Sequence, residues 1–266
     1  FERALGGRRG GRRFRAVHQV DEVRRADRRH PGAASRARVG GDLPGRLCPE
    51  FGEVFGFDAG KRILDFGCGD GYQSAAMALR GAGYILGLDT NPPTLDRARR
   101  LAADMSLGNV DFREKLDEND RGAFDIVISQ NSMEHFPDPA AVLQEMKSAL
   151  RPDGRLLITF GPPWLSPYGS HMSFFTRIPW ANIIFSESTV MKVRSRYIGD
   201  GAMRYEEVTG GLNKMTVSKF ERLVRQCGLR LTYRRYRCIK GLDFLASLPA
   251  ARELFVNHVS CVLQYP

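Results

Sequence analysis

The chain has 266 residues, of which 42% are hydrophobic and 10% aromatic, an ordinary balance for a soluble globular protein with a sizeable core. Its formal charge of +10 is uneven: residues 1–46 hold 13 arginines, no lysine and 5 acids, while residues 47–266 hold 27 basic and 25 acidic side chains. No apolar run approaches the ~20 residues that cross a bilayer, and no secretory pattern is visible, so a cytoplasmic chain without a membrane span is expected.

The 1–46 segment, rich in Gly, Arg and Ala with little apolar periodicity, is expected to be a disordered basic leader. Such a tail can touch nucleic acid or a membrane surface. The near-neutral balance of residues 47–266 disfavours nucleic acid as a partner, and that stretch is expected to be the working domain. The five cysteines (Cys48, Cys68, Cys227, Cys238 and Cys261) include no C-x-x-C pair, which argues against a disulfide framework or a zinc site and for a reducing setting. No metal ligand set is expected.

In chain order, "RILDF" (62–66) reads as an apolar strand and "YQSAAMALRGAG" as a helix ending at Gly81 or Gly83. "YILGLD" (84–89) is a second strand. "NPPTLDRARRLAADMSLG" places prolines in a first helical turn and Leu95, Ala98, Ala102 and Met105 on one face. "VDFRE" and "AFDIVIS" (123–129) are strands three and four. Asp138 is an expected N-cap before Pro139, opening a helix that "RPDG" ends, and "RLLITF" (155–160) is strand five. About fifty irregular residues follow, too long for an ordinary connection. Ser218 and Glu221 then show capping-box spacing before a helix that Gly228 ends, and "LRLTYRRYRCI" and "HVSCVLQY" are two late strands. The alternation implies a doubly wound, Rossmann-like α/β fold with a mostly parallel seven-stranded sheet and a lid insertion, 161–215, after strand five.

Strand one runs into Gly67, Gly69 and Gly71, spaced G-x-G-x-G rather than the G-x-G-x-x-G of a dinucleotide turn. No lysine or Ser/Thr follows, which excludes a P-loop. Asp65 lies inside strand one, where a carboxylate is costly without a partner. Asp89 ends strand two, where an acid can accept ribose hydroxyls. "NPPT" (91–94) follows strand two rather than strand four, so it reads as helix-start chemistry.

"ILDFGCGDG", "GLDTN", "FDIVISQNSMEHFPDP" and "LRPDGRLLITF", in that order, resemble the class I S-adenosylmethionine-dependent methyltransferases. The resemblance implies S-adenosyl-L-methionine as cofactor. It places Asp65, Gly67, Cys68, Gly69 and Gly71 about the methionine part, and Asp89 with Thr90 at the ribose. The family's adenine acid falls at Leu116 here, and the neighbouring Asp117 is the candidate. Ser129 and Gln130, after strand four, are expected to line the methyl-donor pocket. Glu134 and His135 can form an acid/base pair, bind a divalent metal as the resemblance to quinone-precursor O-methyltransferases with a similar E-H pair implies, or support the next helix, and His135 and His171 are the candidate catalytic bases.

Trp164, Tyr168, Phe174, Phe175, Trp180 and Phe185 crowd the first half of the insertion, which suits a ring-bearing acceptor. The expected activity is methyl transfer to an O, N or C nucleophile of a small aromatic or lipid-like metabolite. The alternatives are an RNA methyltransferase steered by the leader and a catalytically silent methyltransferase-like binding protein. A nicotinamide oxidoreductase would need the other glycine spacing and a separate catalytic domain.

Overall fold

The computed structural model describes residues 59–208 and 210–266. The expected basic leader, 1–46, lies outside the described residues. Seven strands form a mixed α/β sheet: β1 (Arg62–Phe66), β2 (Tyr84–Leu88), β3 (Val110–Arg113), β4 (Phe124–Gln130), β5 (Leu150–Phe160), β6 (Arg230–Cys238) and β7 (Val256–Gln264). Their order is β3-β2-β1-β4-β5-β7-β6. β1 pairs parallel with β4, β4 with β5, and β2 with β3, while β7 runs antiparallel between β5 and β6. The expected doubly wound sheet is therefore present, with its two late strands closing one side.

The described residues group into two compact units. One comprises Arg62–Gly67 and Leu116–Pro266, and the other residues 59–61 with Cys68–Lys115. In the second unit, α1 (Tyr72–Leu79) stops short of the expected Gly81, because Arg80 already leaves helical geometry. α2 (Pro92–Asp104) follows the N-cap Asn91 with Pro92 at its first position, as the "NPPT" reading requires. Its buried Leu95, Ala98 and Ala102 meet Cys68 and Phe112 in the core of that unit.

In the first unit, the Asp138 side chain accepts the Ala140 and Ala141 N–H groups at 3.1 and 3.0 Å and starts α3 (Pro139–Ala149). Two expectations are corrected here. "RPDG" is not a separate stop: Leu150 turns extended, and β5 begins there and runs through it. The N-cap of α6 (Val217–Gln226) is Thr216, whose Oγ1 accepts Lys219 N–H at 3.1 Å. Ser218 bonds Glu253 instead, and Glu221 accepts the Tyr236 hydroxyl at 2.6 Å. Long-range carboxylate partners thus displace the local box. Between β5 and α6 lie α4 (Ala181–Ile184) and α5 (Glu187–Arg194), and α7 (Pro249–Phe255) precedes β7.

The 161–215 insertion has a core of its own. Met172, Phe175, Val190, Met191, Ala202, Tyr205 and Leu212 are buried together, with Trp164 and Phe185 packed against them. Arg194, almost fully buried, makes a two-pronged ion pair with Asp200 at 2.7 and 2.6 Å.

Candidate functional site

All three glycines of the turn have positive φ, at +80°, +54° and +78°, and they differ in the space around them. A Cβ on Gly71 would sit 2.7 Å from Ala98 Cβ and 2.9 Å from Phe112, so this glycine lets α2 and β3 approach the turn. A Cβ on Gly67 would lie 2.8 Å from Ser132 Oγ. Gly69, at φ +54°, would meet nothing within 4 Å, so open space lies beside it in a conformation that favours glycine.

Gly69 N–H donates to Asp89 Oδ2 at 3.0 Å, and Asn91 N–H donates to Oδ1 at 2.9 Å. Two donors therefore orient the carboxylate. An ionised carboxylate has about four acceptor positions, so two remain on Asp89 for the paired hydroxyls of a ribose. Thr90 is exposed beside it. Cys68 turns its side chain into the Leu95–Ala98–Phe112 core, and its main chain is engaged within the unit: its N–H donates to Leu88 O at 2.8 Å and its O accepts Gly71 N–H at 3.1 Å. These features fit a nucleoside with vicinal hydroxyls that approaches along bare backbone.

In the other unit, Asp65 is buried on β1 opposite Ile128 of β4. Ser129 and Gln130 end β4, and Ser129 Oγ and Gln130 Nε2 are buried with no hydrogen-bond partner among the described residues. Buried polar atoms of this kind normally find a partner, and their vacancy fits a polar cofactor. Asp117 is exposed and caps a single 3-10 turn, Glu118–Asp120: its Oδ1 accepts Asn119 N–H at 2.8 Å.

The two candidate bases are brought together. The His135 and His171 rings meet edge-to-face with centroids 5.6 Å apart. His135 Nδ1 lies 2.8 Å from Gly211 O, and His171 Nε2 lies 3.2 Å from Pro162 O. A carbonyl oxygen only accepts, so these nitrogens carry the protons when the rings are neutral. The lone pairs are then on His135 Nε2 and His171 Nδ1. Burial, with the His135 charge beside it, pushes His171 down to about 4.

Glu134 is buried next to the pair. Its Oε1 accepts Gly161 N–H at 3.0 Å, while Oε2 is without a hydrogen-bond partner among the described residues. Burial pushes its carboxyl up. Among the described residues, no group of three or more His, Cys, Asp and Glu side chains is placed to hold a metal ion.

The insertion's aromatics divide. Trp164 stacks edge-on with Tyr205 at 4.8 Å, and Phe175 lies face-on with Tyr197 at 5.5 Å, so both serve its own core. Tyr168 and Phe174 remain exposed. Sequence reasoning missed Ser132, which enforces Gly67, and the "GGLN" stretch, 210–213, which holds the His135 loop. A double glycine with an asparagine two positions on, at the end of a long insertion, was the available signal.

Residues 57–162 match the family model described as "Methyltransferase domain". The ubiquinone biosynthesis O-methyltransferase of Neisseria meningitidis serogroup C (strain 053442) is 36% identical over 104 residues, 38% of this chain and 44% of the relative. The Acinetobacter baylyi protein of the same name is 36% identical over 105 residues, with the same coverage. The chain thus spans under half the length of these curated relatives. The crystal structure of an S-adenosylmethionine-dependent methyltransferase from Mesorhizobium loti superimposes with a TM-score of 0.54 at 18% identity, covering 81% of this chain and 95% of that one. That of the [4+2]-cyclase SpnF gives 0.57 at 18%, covering 84% and 82%. Likeness at this identity establishes the fold. One of these two neighbours is a cyclase, so the fold alone leaves the reaction open.

Proposed function

Residues 57–162 match the model of a methyltransferase domain, and from that premise we propose that the chain moves the methyl group of S-adenosylmethionine onto a phenolic oxygen of a small, ring-bearing, lipid-like acceptor. The observation that carries the cofactor reading is Gly69: open at its Cβ position, with its N–H donated to an Asp89 carboxylate that keeps two acceptor positions free. In this reading Asp89 and Thr90 take the ribose. Asp65 with the backbone of Gly67–Gly71 takes the methionine part, Ser129 and Gln130 line the donor pocket, and Asp117 remains the adenine candidate.

Bound, the cofactor supplies a methyl group on a sulfonium, a leaving group that needs no further activation. The chain's main task is then to hold an acceptor oxygen in line, which supplies on the order of 7–11 kcal/mol. A positioned base adds a smaller factor of roughly 10²–10⁴. The lone pairs of His135 Nε2 and His171 Nδ1 are the groups offered for that step. A histidine held at about 4 is a weak base, suited to a phenol, which ionises near about 10, far better than to an aliphatic alcohol.

The names of the curated relatives support oxygen as the nucleophile and a lipid-like acceptor. The 161–215 insertion serves as the acceptor-side lid of the domain spanning 47–266. Its exposed Tyr168 and Phe174 are available to an apolar ring. Nucleic acid is not part of this reading, because residues 47–266 are close to neutral. The free thiols of Cys227, Cys238 and Cys261 suit a reducing, cytoplasmic setting. No helix among the described residues is long and apolar enough to cross a membrane.

Isothermal titration with S-adenosylmethionine, its demethylated product and NAD tests the cofactor, and incubation with simple phenols tests the acceptor. Binding of the two sulfur nucleosides and a methylated phenol are expected. Binding of NAD alone would overturn the reading.

A further inference from the structure

The far end of the insertion makes four hydrogen bonds to the four residues that follow Ser132. Asn213 Nδ2 donates to Met133 O at 2.7 Å and to Phe136 O at 2.8 Å, and Asn213 N–H donates to Glu134 O at 3.0 Å. Both side-chain partners are carbonyls, so the amide orientation is forced. Between them, His135 Nδ1 donates to Gly211 O. Gly211, at φ +60°, lies in a left-handed conformation that favours glycine, and a Cβ there would be in ordinary contact with His135 O at 3.5 Å and Glu206 O at 3.4 Å.

The near end of the insertion is tied to the same loop, because Gly161 N–H donates to Glu134 Oε1. Trp164 N–H then donates to Met215 O at 2.6 Å, closing the two ends on each other. Asn213 O in turn accepts Lys219 Nζ at 2.8 Å, which anchors this knot to the first turn of α6.

We propose that Asn213 is a positioning residue that makes the insertion and the His135 loop one conformational unit: with its amide across Met133 and Phe136, the state of the 210–215 end sets the orientation and tautomer of His135. Its value to catalysis rests on the methyl-transfer reading above, while the coupling itself does not. An insertion that opens to admit an acceptor releases His135 Nδ1 from Gly211, and one that closes re-forms that bond. The proton-accepting Nε2 is thus presented only when the insertion is docked.

Asn213→Asp is the sharp test. It is isosteric, yet it sets a carboxylate against two carbonyls in place of their donor. Hydrogen exchange on the full chain is expected to accelerate on the order of tenfold or more at 210–215, 133–136 and 161–164 together. Nitrogen NMR of the His135 ring is expected to show loss of its single tautomer. Asn213→Ala, which removes the donors without adding charge, gives the same pattern more weakly and serves if the aspartate variant does not fold. Acceleration confined to 210–215, or an unchanged His135 ring, overturns the inference. Neither readout uses turnover, so failure of the methyl-transfer reading leaves the test intact. If that reading holds, the variants lower kcat on a phenol while the affinity for S-adenosylmethionine stays as in the parent.

Discussion

The glycine turn with Asp89 and the 161–215 insertion contrast in how they use their residues. In the turn, the features that suit a ligand are main chain: an open backbone at Gly69, an N–H on Asp89, and a carboxylate oriented by two such donors. In the insertion, the conspicuous side chains mostly serve packing. Trp164, Phe175 and Tyr205 fill its own core, and Lys214 lies over the Trp164 and Tyr205 rings at 5.7 and 5.8 Å. The polar groups that reach outward to the His135 loop belong to its inconspicuous end, "GGLN". A backbone-built site is readable from where glycines and acids fall. A side-chain-rich segment first has to stabilise itself, and what is left over for function is small.

The sharpest way to break this contrast lies within the turn. Gly69→Val is expected to abolish binding of S-adenosylmethionine in a titration. The chain should still fold, because the added atoms enter open space and the strain of the left-handed backbone is about 1–2 kcal/mol. Gly71→Ala is expected to do the reverse. Its methyl meets Ala98 and Phe112, and thermal unfolding should show a loss of about 1–3 kcal/mol from overpacking. If the two variants exchange phenotypes, the assignment of ligand glycine and packing glycine is wrong.

Next in size is Asp89→Ala. Loss of hydrogen bonds to a charged acceptor should weaken cofactor binding by about 1.5–3 kcal/mol, read as the change in dissociation constant. An unchanged constant would place the ribose elsewhere.

The insertion is probed by Arg194→Met, which leaves Asp200 without its two-pronged partner; that partner holds the Asp200 carboxyl down at about 2. Hydrogen exchange across 187–208 should rise while the affinity for S-adenosylmethionine is retained. Equal protection in both proteins would show that the aromatic cluster alone holds the insertion.

The last expected effect is a pH dependence of stability. His171 binds a proton below about 4 when folded, against 6.5 for its unperturbed side chain. Between those values the unfolded chain holds more protons, so this group's contribution is present above pH ~6.5 and is lost as pH falls toward ~4, with no further loss below. Glu134, pushed up by burial, acts oppositely and costs stability as pH rises above its ordinary range. The difference between the parent and His171→Gln isolates the histidine. Parallel stability curves for the two proteins from pH 7 to pH 4 would count against a buried neutral His171.

The order of strands and helices from 62 to 160 was legible because periodicity, proline and glycine act locally. Asn91 and Pro92 start α2, and Asp138 and Pro139 start α3, each where short-range chemistry places them. The capping box read at Ser218 and Glu221 shows where locality stops. Both side chains found stronger partners far along the chain, in Glu253 and in Tyr236 and Arg252, and Thr216 took the cap.

The glycine spacing and the acid ending strand two could be read by residue type and position, and with the three later motifs they pointed to a nucleoside cofactor. Tertiary structure alone decided which glycine faces open space, that Cys68 points into the core, and that His135 meets His171 across 36 residues. It alone decided, too, that Asn213 reaches back 80 and 77 residues to Met133 and Phe136. Such long-range hydrogen bonds carry no local periodicity. They exist only once the insertion has folded and brought its end against the loop after β4.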